Sequence, residues 1–455
     1  MLNRTMWSST AVKVAIATAA VLLSACSVDK VLQVPDPDVS RPTDVTGKAG
    51  LPTLLAAAVG DFQVAFAGTG GNTGLEGLVN MTGLFTDEFA FTETFPTRVQ
   101  VDRRAIDRNN STMSAIYFTV QRARQSAFRA ESVYKSLAPT DSGYAEALNL
   151  EGYSFVMLAE TYCSGVPITK LDAAGNVIPG QPLTTQQLLD SAINRFQAAL
   201  TVANASGSDY LANLARIGQA RALLFKSNKN LAAAAALVAN IPPDFEYVIF
   251  SSSNTDRQNN GVFELQWLEG RWTQADKEGT NGLPYRTAND PRTPFKNLGL
   301  GFDQARTVFG TLKYPNRDAS TLLASYIEAQ LIVAENQLAL GNYAGANGTL
   351  AILNALRAGN GMAVLSPAAT QQAQVLQLFS ERAFWLYLTE HRLGDLRRLS
   401  RPAPNGYGLN SESVFPTGNY TGRGGGVYGP DVNFPIPIEE SNSNPNSHGC
   451  LDRNP

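Results

Sequence analysis

Gly341-Asn342-Tyr343-Ala344-Gly345-Ala346 joins two stretches of helical apolar period, roughly 318–340 and 343–357, and has the composition of the joint in a helical hairpin. In such a joint the small Ala346 lets the second helix pack closely on the first, while the Tyr343 ring plugs the gap between them. Asn230-Leu231 with Ala234 is a weaker copy. The two copies are not a whole number of roughly 34-residue periods apart, so something unlike a helix pair must interrupt the series.

The joint is that of tetratricopeptide-like helix pairs, and the rest of the chain supports it. Helical patterning begins near Lys48 and runs through Leu54, Ala58, Phe62 and Phe66 before glycines at 68–77 break it. Ile116, Val120, Ala123 and Ala127 share one face at spacings of three and four, and Ala147, Leu150, Tyr153 and Val156 share another. Further helices are predicted over 184–204, 208–226, 231–239 and 371–392. The interruption is the block 243–316, rich in Asn, Gly, Thr and aromatics, with strand-like runs at 247–250 and 262–267. A second irregular block, 400–433, holds Arg423-Gly424-Gly425-Gly426. It has no strand before it and no helix after it, so it reads as a surface loop and not a phosphate loop. The expected fold is all-α: a tetratricopeptide-like scaffold with large irregular loop insertions and a few short strands.

The first residues carry an address. Arg4 and Lys13 precede an apolar run at 14–23, which is only about 10 residues long and too short to cross roughly 30 Å of hydrocarbon. This is the three-part pattern of an export signal. Leu23-Ser24-Ala25-Cys26 then resembles a bacterial lipobox, which implies removal of 1–25 and acylation of Cys26. Ser27 in the next position leans toward the outer membrane. Residues 26–45, with Pro35, Pro37 and Pro42, read as a lipid-bearing tether, and 46–455 as one body.

Hydrophobic residues make up 44% of the chain and charged ones 16%, enough for a large core and too apolar for a disordered chain. Net charge is −3, and no basic run follows the leader, which argues against nucleic acid. With Cys26 acylated, Cys163 and Cys450 remain, either paired in a disulfide in an oxidising compartment or present as two free thiols. Two histidines and no CxxC make a zinc site unexpected, and no cofactor is implied.

In the last third, Glu381-Arg382-Ala383-Phe384-Trp385-Leu386 is followed by Glu390-His391-Arg392-Leu393-Gly394-Asp395-Leu396-Arg397-Arg398. This run resembles the signature of the RagB/SusD family. Asn433-Phe434-Pro435-Ile436-Pro437 with Glu440, Asn444 and Pro445 resembles that family's terminal motif. Tyr326-Ile327-Glu328-Ala329, Asp290-Pro291-Arg292, Thr86-Asp87-Glu88 and Gly165-Val166-Pro167 fit in the same order, so the resemblance spans about 27–450, with its C-terminal signature at about 318–450. Trp385 stands where the family usually has an acid, and Tyr162-Cys163-Ser164 replaces an aromatic-Gly run. The resemblance implies a surface-exposed outer-membrane lipoprotein, not an enzyme. Such a protein captures oligosaccharide or another nutrient and delivers it to a SusC-like TonB-dependent transporter.

Sugar rings pack on exposed aromatic faces while carboxylates, amides and guanidinium groups take their hydroxyls. Two clusters offer this: Phe91 and Phe95 near Asp87, Glu88 and Glu93, and Trp267, Trp272, Tyr285 and Phe295 near Arg271, Arg286 and Asn289. The residues carried forward as ligand contacts are Asp87, Phe91, Phe95, Arg271, Trp272 and Tyr285, with Trp272 and Tyr285 standing out for their polar surroundings. Arg382, Arg397 and Arg398 are expected to pair structurally with Glu381, Glu390 and Asp395. A glycosidase would need two carboxylates flanking a bond, and nothing places a partner opposite Asp87, Glu88 or Glu93. The alternative role is a tetratricopeptide-type lipoprotein scaffold for outer-membrane assembly, which would have no need of the aromatic-rich block at 243–316.

Overall fold

The structure is a computed structural model that describes residues 47–71, 75–172 and 176–455. The leader at 1–25, Cys26 and the tether at 26–45 lie outside the described residues. The chain divides into two units, Met1–Gly50 and Leu51–Pro455. In the first, Lys48–Gly50 forms a single 3-10 turn.

The second unit is helical. Its first half holds α1 (Leu51–Ala67), α2 (Gly77–Phe85), α3 (Pro96–Asp102), α4 (Ser111–Leu137), α5 (Ser142–Thr161), α6 (Thr185–Ala205), α7 (Asp209–Lys226) and α8 (Leu231–Val238). After the irregular block come α9 (Tyr326–Ala339), α10 (Thr349–Gly359), α11 (Gln371–Trp385), α12 (Arg392–Ser400) and α13 (Ile438–Ser443). Side-chain caps start most of the long ones. Asn110 accepts from Met113 N, Asp141 from Gly143 N, Ser208 from Leu211 N, and Thr184 forms a capping box with Gln187. α5 is the hub, buried from Gly143 to Thr161 except at Glu146, and packed by α1, α4, α6 and α7. Gly152 and Gly218 let α5 and α7 close over the Phe196 ring: a Cβ would sit 2.8 Å from it at Gly152 and 2.4 Å at Gly218.

The strands are short: β1 (Phe89–Phe91), β2 (Val166–Pro167), β3 (Lys170–Leu171), β4 (Val177–Ile178), β5 (Pro182–Leu183), β6 (Glu246–Ile249), β7 (Trp272–Gln274), β8 (Phe295–Leu300), β9 (Thr307–Thr311) and β10 (Thr321–Ser325). Among the described residues they pair as antiparallel two-stranded ribbons, β1 with β7, β10 with β6, β2 with β5, β3 with β4 and β8 with β9.

Several expectations need correction. The opening joint does link two helices, α9 and α10, and Tyr343 is buried, but the second helix starts only at Thr349 and Ala346 is exposed in the connection. The polypeptide instead turns on Asn342, whose carbonyl accepts from Thr349 N at 3.1 Å. Residues 318–325 are not the start of a helix: Thr321–Ser325 pairs with β6, and Ser325 then caps α9 through Glu328 N. The run 262–267 is helical and not a strand. Asn260 caps Phe263 N, and Glu264–Leu268 widens into a π-turn. The predicted helix over 371–392 ends at Trp385, and α12 follows a turn in which Leu388 and Glu390 take positive φ.

The arginine cluster is structural, and Asp395 pairs with Arg382 and Arg398 as expected, while Glu381 and Glu390 find other partners. Arg382 takes Asp395 at 2.8 Å, and Arg398 takes Glu335. Glu381 is held instead by Arg292 and Arg357, each at 2.7 Å, and Glu390 by Arg221 at 2.5 Å. Among the described residues Arg397 pairs with no carboxylate. It donates to the carbonyls of Ala159, Glu160 and Tyr162, which end α5, and burial pulls its pKa down to about 9. Cys163 and Cys450 form a disulfide, with Cα atoms 5.7 Å apart, where the C-terminal segment docks beside the end of α5. Leu451 N donates to Ser164 O at 2.7 Å in the same place. The Arg423–Gly426 segment is an exposed turn with positive φ at Gly424, Gly425 and Gly426.

Candidate ligand-binding site

The ribbon of β1 and β7 brings together segments nearly two hundred residues apart in the sequence. Phe91 stands opposite Trp272, and beyond them Thr92 N donates to Arg271 O at 2.9 Å. Thr92 Oγ1 donates to Gly270 O at 3.0 Å. A third segment joins where Phe302 N donates to Gly270 O at 2.8 Å and Asp303 N to Thr92 O at 3.0 Å. The approach requires glycine: a Cβ at Gly301 would lie 2.9 Å from Gly270 O and from Thr92 Cβ, and Gly270 has φ +62°. Arg306 braces the crossing by donating to Phe91 O at 2.6 Å.

This backbone crossing presents an aromatic–guanidinium–aromatic platform. The Arg271 guanidinium carbon lies 4.9 Å from the Phe302 ring centre and 5.7 Å from that of Phe95. Arg98 approaches Phe95 at 5.1 Å and donates to Glu76 at 2.6 Å. Phe95 is 44% exposed and Phe302 52%, although each contacts a cation worth roughly 0.5–1 kcal/mol. Two carboxylates hold Arg271 flat: Glu93 Oε1 at 2.5 Å and Glu269 Oε2 at 2.5 Å. Burial raises the pKa of both Glu93 and Glu269, and the Arg271 charge partly offsets it. Two apolar faces with donors and acceptors between them suit a neutral sugar: the ring C–H surface stacks and the hydroxyls bond to the edge of the guanidinium pair.

Of the six residues expected to contact ligand, Phe95 and Arg271 meet at this platform. The other four are buried and are corrected here to supporting roles. Trp272 packs edge-on against Phe89 at 5.9 Å and Phe91 at 6.0 Å, beneath the ribbon. Its polar neighbours differ: Arg271, just before the strand, reaches the platform, while Thr273 is buried and accepts from Phe309 N at 2.8 Å. Phe91 is buried as well. Asp87 is buried in a two-pronged pair with Arg392, at 2.6 and 2.8 Å, and accepts from Leu283 N at 2.9 Å. Tyr285 is fully buried, 4.8 Å from Tyr387 and 5.1 Å from Phe384. Glu88 is also buried, accepting from Leu388 N at 2.8 Å, and burial pushes its pKa up to about 8. The sequence reading missed Phe302, Arg98 and Glu269. An aromatic directly after Gly299-Leu300-Gly301 in the irregular block was the available signal for Phe302.

No family model matches this chain, and no curated protein matches it. Solved structures do. A SusD superfamily protein from Parabacteroides distasonis superposes with a TM-score of 0.66 at 14% identity, covering 89% of this chain and 99% of that one. A SusD-like carbohydrate binding protein from Bacteroides fragilis gives 0.64 at 16% identity, covering 89% and 99%. Surface glycan-binding protein A from Bacteroides uniformis gives 0.61 at 13% identity, covering 88% and 99%. The chain therefore has the SusD-like fold, the architecture its sequence motifs resemble.

Proposed function

We propose that this chain is a RagB/SusD-type lipoprotein that binds oligosaccharide and passes it to a SusC-like TonB-dependent transporter. In this reading Cys26 carries the lipid, which holds the protein at the outer membrane facing the cell exterior. The observation that carries the proposal is the exposed Phe95–Arg271–Phe302 platform on a SusD-like fold. Two similar structures, described as a carbohydrate binding protein and a surface glycan-binding protein, support the same ligand class. Glu93 and Glu269 are both drawn to one guanidinium, which supports a binding role for the platform over a catalytic one.

The test is a titration of neutral hexasaccharides (maltohexaose, cellohexaose, laminarihexaose) against the full chain in detergent. At least one should bind. Phe302→Ala should weaken it about tenfold, equivalent to roughly 1.4 kcal/mol. Absence of any sugar binding, with co-purification of outer-membrane assembly factors instead, supports the scaffold role and overturns this one.

A further inference from the structure

A second cleft lies elsewhere in the Leu51–Pro455 unit and shares no residue with the platform. It has a volume of about 610 Å³, within the roughly 300–1,000 Å³ usual for small-ligand sites. Its floor is the half-buried face of α1 at Leu55, Val59 and Gly60, which repeats at helical spacing. One wall is the start of α5 and the end of α4. The other is the segment that leaves β6 at Phe250 and returns through Arg257 and Gln258.

The side chains around it are unusually free. Phe250 is 72% exposed, the most exposed large hydrophobic residue among those described. Next to it, the Ser251 hydroxyl is buried and has no hydrogen-bond partner among the described residues. Glu146 is the one residue of α5 from 143 to 161 that is not buried. Its Oε1 accepts from Tyr247 at 2.9 Å, which leaves Oε2 for the cleft. Burial raises the Glu146 pKa, and Tyr247 partly offsets it. Arg257 is anchored to Asp61 at 2.6 Å by one nitrogen, with its remaining donors available. The Tyr134 hydroxyl lies at the opening of α5, close enough that a Cβ at Gly143 would touch it at 2.6 Å.

An exposed ring beside an unpaired hydroxyl, a carboxyl oxygen and spare guanidinium donors matches the surface of a pyranose, which has C–H faces and a rim of hydroxyls that both donate and accept. Asp141 and Glu146 line the cleft while Arg257 is already paired with Asp61, so the charge disfavours anionic ligands. We infer that this cleft is a second binding site for neutral saccharide, with Phe250 as its stacking surface and Ser251, Glu146 and Arg257 as its hydroxyl partners. The ligand class rests on the glycan reading of the chain, while the position does not.

Native mass spectrometry of the full chain in detergent with maltohexaose, cellohexaose or laminarihexaose counts the sites directly. The expected result is two bound sugars per chain, falling to one in either Phe250→Ala or Phe302→Ala and to none in the double variant. Glu146→Gln, which preserves shape, should weaken the second site at least fivefold and leave the first unchanged. A single bound sugar, lost in Phe302→Ala and retained in Phe250→Ala, overturns the cleft alone. No bound sugar in the unaltered protein overturns both sites. Occupation of the cleft by a hydrophobic tetrapeptide such as Leu-Ala-Leu-Ala, with no sugar displacing it, overturns the saccharide assignment.

Discussion

The Arg271 guanidinium lies 4.9 Å from the centre of the Phe302 ring, and the contact exists because Phe302 N donates to Gly270 O where the two segments cross. A lysine at 271 keeps a charge for Glu93 but loses the planar group that stacks between two rings. Arg271→Lys should therefore leave thermal stability within a few degrees of the parent while weakening hexasaccharide binding about tenfold. Arg271→Ala also strips the buried Glu93 carboxyl of its partner, which costs about 1–3 kcal/mol. Differential scanning calorimetry with titration calorimetry on the two variants separates binding from folding. Equal losses of affinity and stability in both would contradict a ligand-facing role for Arg271.

Asp87 and Arg392 tie the start of the chain's body to its last third. Removing one partner of so buried a pair leaves an uncompensated charge and costs about 3–5 kcal/mol. Arg392→Ala should lower the denaturant midpoint by that equivalent. Asp87→Asn, which keeps the acceptor for Leu283 N, should cost less. A direct ligand role for Asp87 predicts the opposite: lost binding at unchanged stability.

The disulfide closes a separation of 287 residues, and the chain-entropy relation puts its maximum contribution at ~5.7 kcal/mol. Leu451 and Arg453 also hold the tail, through Ser164 and Asn433, so the docked C-terminus retains part of that stability without the bond. Cys450→Ser should still fold, with a loss of about 2–4 kcal/mol measured by urea unfolding. A neutral result would mean that the tail docks fully without the bond.

Four carboxyls have pKa values raised chiefly by burial: Asp102 to about 7, Glu88 and Glu390 to about 8, and Glu151 to about 9. Glu390 shares the single charge of Arg221 with Glu160, which does not offset the effect of its burial. The folded state then holds protons that the unfolded chain releases near pH 4, and stability falls as pH rises from about 4 toward 8. Above pH 8 the trend is opposed by Lys313, whose pKa burial lowers to about 8. The melting temperature should be several degrees higher at pH 5 than at pH 8. A flat profile would mean that these groups ionise freely in the folded protein.

Long helices were legible because period and caps agree: Thr184 with Gln187 and Ser208 with Asp209 mark the starts of α6 and α7 in the sequence itself. Segments at 262–267 and 321–325 were misread because short apolar runs satisfy either period, and only Asn260 and the β6 partner decide between them. At the site, the regions were legible and the individual residues largely were not. Arg271 directly precedes the buried Trp272, so a one-residue step in sequence separates the platform from the core. Nothing local in the sequence reveals which is which until Gly270 and Gly301 are seen to cross.

The structure of the complex with whichever hexasaccharide binds tightest tests the central claim most directly. A pyranose ring stacked within about 4 Å of Phe302 or Phe95, with hydroxyls on Arg271 or Glu269, is the predicted result. Sugar bound elsewhere, with both rings and Arg271 bare, would contradict it.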